Sequence, residues 1–323
     1  MYRALPYKTK QFFFVLIKLS IVIGAFYFIY NKLTTNNDLD FTEFIEFLHK
    51  NNVFSLKNVI FLIFLSLFNW FLEILKWQEL VSSIKKISFF EAQKQSLGAL
   101  TASLLTPNRI GDYGAKALYF SASYRKRIVL LNFIGNMMQM AITVLFGVFG
   151  LYFFITEYQV DFSFLRVSRF LIIISVVSIL SIFGLKQKRF KIKGFSIEKV
   201  IDFIKNLAIR IKVSTFVLSL LRYLTFSFQF YFLLGIFGIE VSYFHAMVAI
   251  TSMYLLASVI PSIFIFDVLI KGSVAMYIFT IVGVNEFTIL SIVLLMWILN
   301  FVLPSILGSF YVLTFTLPKN KTA

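Results

Sequence analysis

The chain has no cysteine, two histidines and five prolines in 323 residues. Without cysteine there is no disulfide framework and no thiolate metal site. His49 and His245 both fall outside the apolar segments. The sequence shows no zinc-ligand spacing, no Ser–His–Asp set and no Gly-rich phosphate loop, so neither metal nor cofactor is expected. Charge is also scarce. Only 14% of residues are charged, where a soluble domain carries about a quarter. Acidic residues number 15 against 31 Lys and Arg, a net charge of +16. Such an excess can mean nucleic acid. Here, however, the cations gather in short loops between apolar runs, the pattern of a cytoplasmic membrane face, so nucleic acid is not the expected partner. What the chain does have is apolar and aromatic surface: 59% hydrophobic, 19% aromatic, with a mean hydropathy of +0.86.

These proportions predict one integral membrane domain, 1–323, all-α, with about six full spans and two re-entrant helical hairpins. Residues 1–55 supply an N-terminal helix and an external loop. Arg3, Lys8 and Lys10 precede its apolar run at 12–30, which is too long for a signal peptide and lacks a small-residue cleavage site. The loop carries Asp38, Asp40, Glu43 and Glu46, with an amphipathic piece at 41–48. Residues 56–163 form a first unit. Its span at 56–76 ends in Glu73, Lys76 and Trp77, with Glu73 able to pair with Lys76 and Trp77 suited to the interface. A hairpin at 91–124 follows, then a span at 128–155. That span has a polar stripe, Asn132, Asn136, Gln139 and Thr143, which either glues helices together or lines a cavity.

Residues 164–212 hold a connecting span, 164–185, and the most basic stretch of the chain. Val200, Ile201, Ile204, Leu207, Ala208 and Ile211 make one apolar face there, which suits an interfacial helix on an anionic cytoplasmic leaflet, or simply a topogenic loop. Residues 213–317 form a second unit. It has a span with Arg222 and Gln229 inside it, a hairpin at 243–282 with Pro261, Asp267 and Lys271, and a last span interrupted by Pro304, expected to kink. Arg222 lies too deep to snorkel and should face protein.

The most informative stretch runs from Leu104 to Phe120: L-L-T-P-N-R-I-G-D-Y-G-A-K-A-L-Y-F. Charges at membrane depth cost about 2.5–3.5 kcal/mol each on insertion scales, which makes them a functional hypothesis by default. Thr106 can cap a helix whose first turn suits Pro107. Arg109, Asp112, Tyr113 and Lys116 share one face, while Gly111, Gly114, Ala115 and Leu118 form another, small enough to press against protein.

T-P-N-R-I-G-D, with the preceding Lys76-Trp77 and the run to Leu80, resembles the Pro-x-Arg-x-Gly-acidic signature of the membrane part of lysylphosphatidylglycerol synthases, a flippase-like family with many stand-alone members. The resemblance extends from about Lys10 to Leu317. The soluble aminoacyl-transferase domain of the bifunctional synthases is not expected in a chain ending at Ala323. The resemblance implies movement of aminoacylated phospholipid or related lipids between leaflets. The second motif departs from the family pattern: Ser262, Ile263, Phe264, Ile265 and Phe266 stand where a Gly-rich segment is common, and only Asp267 matches.

The two hairpins also resemble each other. Asp112 and Lys116 are four apart after Pro107, and Asp267 and Lys271 are four apart after Pro261. An odd number of crossings separates the units, which predicts an inverted repeat, the alternative being chance similarity in a biased composition. The expected substrate site comprises Arg109, Asp112, Lys116, Arg222, Asp267 and Lys271, with Asn136 and Gln139 on its wall. Pro107, Gly111, Gly114, Pro261 and Trp77 are its structural motif. Each Asp–Lys pair has a plainer reading as a buried ion pair that fixes packing. Two arginines and a helix N-terminus suit a phosphate, so the expected partner is a membrane phospholipid or a lipid-linked headgroup. The rival readings are a membrane-embedded glycosyl- or aminoacyl-lipid transferase, for which Asp38-Leu39-Asp40 is the one D-x-D available, and a scaffold without transport.

Both termini are expected in the cytoplasm of a cell whose inner membrane holds the protein, with the first hairpin opening inward and the second outward. A Ser123→Cys variant of this cysteine-free chain should then resist an impermeant thiol reagent in intact cells and react after permeabilisation. Labelling before permeabilisation would reverse the topology.

Overall fold

The computed structural model describes residues 23, 27, 41–51, 53, 55–104, 106, 110–160, 197–259 and 267–317, giving the backbone alone for 41–44, 197–200 and 267–270. The expected spans at 12–30 and 164–185, the Asp38–Asp40 pair, Pro107, Arg109, Pro261 and the Asp267 side chain lie outside the described residues. Among the described residues all regular structure is helical. In chain order it comprises α1 (Phe41–Lys50), α2 (Leu56–Ser82), α3 (Phe89–Ser103), α4 (Ile110–Leu118) and α5 (Ala122–Glu157). Then come α6 (Ile197–Asn206), α7 (Ile209–Ile236), α8 (Tyr243–Val259), α9 (Asp267–Ile281) and α10 (Glu286–Trp297). A π-helical turn, Ile298–Val302, joins α10 to α11 (Leu303–Leu313).

Four of these are long and apolar enough to cross a membrane: α2, α5, α7 and the joined α10–α11, of 27, 36, 28 and 28 residues. Helices α3, α4, α8 and α9 have 15, 9, 17 and 15 residues. At 1.5 Å per residue each falls short of a hydrocarbon core of about 30 Å.

Local chemistry sets several boundaries. Helix α3 begins at a capping box: Ser88 Oγ accepts from Glu91 N at 3.1 Å, and Glu91 Oε2 accepts from Ser88 N at 3.0 Å. Helix α2 continues to Ser82, beyond the charges at Glu73 and Lys76 where the sequence suggested an end, because those charges are satisfied inside the protein. Pro304 does interrupt the last span, and the break is the π turn just before it. Proline has no N–H to offer the Asn300 carbonyl. Trp70 Nε1 donates to that oxygen at 3.0 Å, and Ser66 Oγ donates to the Leu299 carbonyl at 2.8 Å. Irregular backbone is thus re-satisfied by a neighbouring helix, as membrane interiors require.

The most extensive helix contacts are α5 with α8, α3 with α11, and α2 with α7. Small residues permit the first two. A Cβ on Gly147 or Gly150 of α5 would run into Leu255 and Thr251 of α8, and one on Gly308 of α11 would run into the Leu97 carbonyl and the Thr101 hydroxyl of α3. Thr101 Oγ1 also donates to the Ser305 carbonyl at 2.9 Å. Helix α6 packs Phe203 and Ile204, and the Leu207 that follows it, onto a cluster built from Ile74, Trp77, Leu80 and Ile128, while Asp202 and Lys205 stay outside. Ile201 and Ala208 of the expected apolar face remain exposed. At the opposite end, Phe47 of α1 stacks on Phe237 and meets Phe287 edge-on, with Leu48 buried beneath.

Gly308→Ala should therefore lower stability by about 1–3 kcal/mol, since the obstacle is backbone. Gly235→Ala meets nothing within 4 Å and should gain up to about 1 kcal/mol from helix propensity. Thermal unfolding of both variants in one detergent checks the pair.

Candidate functional site

On α2 the residues Leu62, Ser66, Asn69, Glu73 and Lys76 recur at spacings of four and three, so they lie on one face of an otherwise apolar helix. That face meets α7 and the π turn. Arg222 of α7 donates from Nη1 to Glu73 Oε2 at 2.7 Å and from Nε to Asn69 Oδ1 at 3.2 Å. Lys76 Nζ stands 2.7 Å from the same Glu73 oxygen. Asn69 Nδ2 donates to Asn300 Oδ1 at 3.0 Å, Asn300 Nδ2 to Gln229 Oε1 at 2.9 Å, and Gln229 Nε2 to the Leu62 carbonyl at 3.1 Å. One connected polar chain thus links α2, α7 and the π turn. Lys76 is only 2% exposed, whereas the Arg222 and Asp112 side chains keep 24% and 17% of their surface open. The cluster is buried but approachable.

Helix α4 adds the second half. Lys116 Nζ donates to Asn132 Oδ1 at 2.9 Å, lies 3.4 Å from Asp112 Oδ2 and sits 4.5 Å from the centre of the Trp77 ring, a cation–π contact. Asn132 Nδ2 donates to Asp112, and Asn136 Nδ2 to the Tyr113 hydroxyl at 2.9 Å. The two halves adjoin at α5: a Cβ on Gly135, one turn after Asn132, would lie 3.8 Å from Lys76 Cε. Among the described residues Lys76, Lys116 and Arg222 stand against Glu73 and Asp112, three cations to two carboxylates, an excess of one formal positive charge.

Thr106 fixes the start of α4. Its hydroxyl donates to the Ser103 carbonyl at 2.9 Å and accepts from Gly111 N at 2.8 Å, tying the end of α3 to the start of α4. A Cβ at Gly111 would lie 2.8 Å from that hydroxyl and 3.1 Å from the Ala102 carbonyl, which is why glycine stands there.

Two expectations need correction. The face of α4 that presses against protein is the charged one: Lys116 and Ala117 are buried, while Gly114 and Leu118 are exposed and a Cβ at Gly114 meets nothing. A charged face at membrane depth is better placed on protein than on lipid. Trp77 is not an interfacial anchor but 1% exposed, donating from Nε1 to Gln95 Oε1 at 2.8 Å beneath Lys116. Arg222 faces protein as expected, with its partner Glu73 lying 149 positions away in sequence.

The structure joins Asp112 to Lys116 through Asn132 and Arg222 to Lys76 through Glu73. Asn136 and Gln139 bind neighbouring helices, Gln139 Nε2 reaching the Ser219 carbonyl at 3.4 Å, so the stripe on α5 does glue helices. Lys271 is exposed and rests 6.0 Å from the Phe301 ring centre. Sequence reasoning missed Asn69 and Asn300, although the period of the α2 stripe was there to be read. An open cleft of about 520 Å³ between Thr280 and Leu290 shares no residue with this cluster.

Spanning helices around a buried, hydrogen-bonded set of charges define a multi-pass integral membrane protein. The chain matches the family described as lysylphosphatidylglycerol synthase TM region over residues 15–308, and it belongs to that family. Its role is accordingly lipid-related. No curated protein and no solved structure matches it significantly.

Asp112→Asn should cost about 2 kcal/mol, because it leaves the Lys116 ammonium buried without its carboxylate. Adding Lys116→Met should recover most of that loss, and a double-mutant cycle by thermal unfolding measures the coupling. Additive losses would mean that the two side chains do not act as a pair.

Proposed function

We propose that this protein is a lipid translocase of the cytoplasmic membrane, with both termini inside, moving a phospholipid or polyprenyl-phosphate-linked lipid between leaflets. The observation that carries this reading is the partly open charge cluster between α2, α4, α5 and α7 with its one excess positive charge. A headgroup crosses hydrocarbon only if something replaces its water. Guanidinium, ammonium and amide groups do so for a phosphate, and the two carboxylates suit a headgroup that also bears a cation. Arg109 joins the site on the strength of its motif, beside the capped start of α4. Asp267 and Lys271, on α9, join the site on the strength of their likeness to the Asp112–Lys116 pair.

Helix pairing supports the further reading of an inverted repeat. Helix α3 packs on α11 while α8 packs on α5, so the first hairpin helix of each unit lies against the last span of the other. The leading spans α2 and α7 meet each other. In such an arrangement α3–α4 and α8–α9 are re-entrant hairpins that serve as alternating gates around a shared site.

A leaflet-exchange assay with purified protein in vesicles, run over lipids extracted from the host, tests the proposal. Arg109→Ala should slow exchange of the transported lipid about ten- to a hundredfold, the worth of a charge-assisted phosphate contact, with Lys116→Ala slower by a smaller factor. Equal exchange of every lipid by wild type and a folded Arg109→Ala protein would remove this site from lipid transport.

A further inference from the structure

The seam between α2 and α7 differs along its length. The contacts Gln229 to Leu62 and Arg222 to Asn69 set an antiparallel register that places Thr215 level with Lys76. From Arg222 toward Gln229 the polar side chains facing α2 are joined to one another through Asn69 and Asn300, Ser227 lying off that face. From Arg222 toward the start of α7 they are not. Thr215 Oγ1, Ser219 Oγ and Gln139 Oε1 are buried without a hydrogen-bond partner among the described residues, and Lys76 Nζ has only its Glu73 contact. Thr215 and Ser219 are 0% exposed. Gln139 reaches the Ser219 carbonyl, and a Cβ on Gly135, one turn earlier on α5, would lie 3.8 Å from Lys76 Cε. These contacts and the register bring the four polar atoms to the same stretch of the seam between α2, α5 and α7. Native interiors leave few such groups unsatisfied, and a mixture of donors with an acceptor is what buried water requires. This half of the seam leads from the basic end of the bundle, where Arg210 and Lys212 begin α7, to Glu73.

We propose that this half-seam holds bound water and delivers a proton to Glu73, which takes it up as an anionic phosphate replaces the carboxylate on Arg222 and Lys76. The inference rests on the translocase reading. Charges balance: a proton leaves the aqueous side and binds Glu73 Oε2, the contacts of that oxygen to Arg222 and Lys76 break, and phosphate oxygens take them over. One negative and one positive charge arrive together, so the excess of the cluster stays as it was. Without the proton, carboxylate and phosphate would face the same two cations and repel each other. The charged groups facing Glu73 are Lys76 from its own helix, Arg222 from α7 and Lys116 from α4, with Asp112 behind Lys116. Helix α5 and the π turn contribute amides, Asn132, Gln139 and Asn300.

The test uses the full protein in phosphatidylcholine vesicles with fluorescent phosphatidylglycerol as the anionic probe and a pH dye inside. Wild type should move about one proton per lipid. Thr215→Val with Ser219→Ala removes only the unpartnered hydroxyls and should slow proton movement about tenfold. Any probe moved by Glu73→Gln should cross without a proton. Lipid movement by wild type with no pH change overturns the coupling and leaves the translocase standing. No lipid movement above protein-free vesicles overturns both for this headgroup. A Thr215→Val protein that melts clearly higher, with proton movement unchanged, overturns the hydrated seam, because a dry, unsatisfied hydroxyl is the kind whose removal stabilises.

Discussion

The ion pair between Glu73 and Arg222 is the contact on which the centre of the bundle depends. Without Glu73 the Arg222 guanidinium would have no carboxylate among the described residues, and without Arg222 the Glu73 carboxylate would keep Lys76 alone. Together they hold α2 and α7 in the register that also brings Asn69 to Asn300 and Gln229 to the Leu62 carbonyl. Slipping one helix by a turn would break all of these at once. A buried pair of this kind adds little net stability over apolar side chains of the same size. Its effect here is to make one alignment far better than its neighbours.

That alignment governs what surrounds it. With Lys76 committed to Glu73, the next residue, Trp77, turns its indole face to Lys116 and its N–H to Gln95. This draws α4 inward by its charged face and α3 inward by its glutamine. The π turn before Pro304 completes the same core, because the carbonyls it frees are taken by Ser66 and Trp70 of α2. Close helix approach at Gly147, Gly150 and Gly308 then brings in α8 and α3 without large side chains in the way.

The helical class, the membrane-spanning segments α2, α5, α7 and α10–α11, and the capped start of α4 were legible in the sequence. Hydropathy, loop charge and turn chemistry are local signals, and this chain states them strongly. Periodicity also grouped Asp112 with Lys116 correctly. It did not say which way that face points, and of the small residues opposite it Gly111 packs closely on Thr106 and the Ala102 carbonyl while Gly114 and Leu118 are exposed. The rule that charges at membrane depth turn toward protein would have decided the question. Trp77 was misread because a tryptophan beside charges at the end of an apolar run looks the same at an interface and in a core. The partner of Arg222 and the donors to the π turn lie 149 and 230 or more positions away in sequence, where no local pattern reaches.

Three cations against two carboxylates in an apolar surround form an incomplete set. At low dielectric the uncompensated charge favours an anion on Arg222 and Lys76 at all times, whether that anion is the Glu73 carboxylate or an entering phosphate. A site complete in itself, with charges paired one to one, would have no such preference and would act only as a brace. The excess therefore bears directly on the choice between brace and binding site. The partial openness of Arg222 and Asp112 bears on it independently, since a brace gains nothing by leaving its charges approachable. In the translocase reading, release of the headgroup on the far side restores the Glu73–Arg222 contact. The protein's own carboxylate then stands in for the departing phosphate, and the guanidinium is not left bare in the membrane between one lipid and the next.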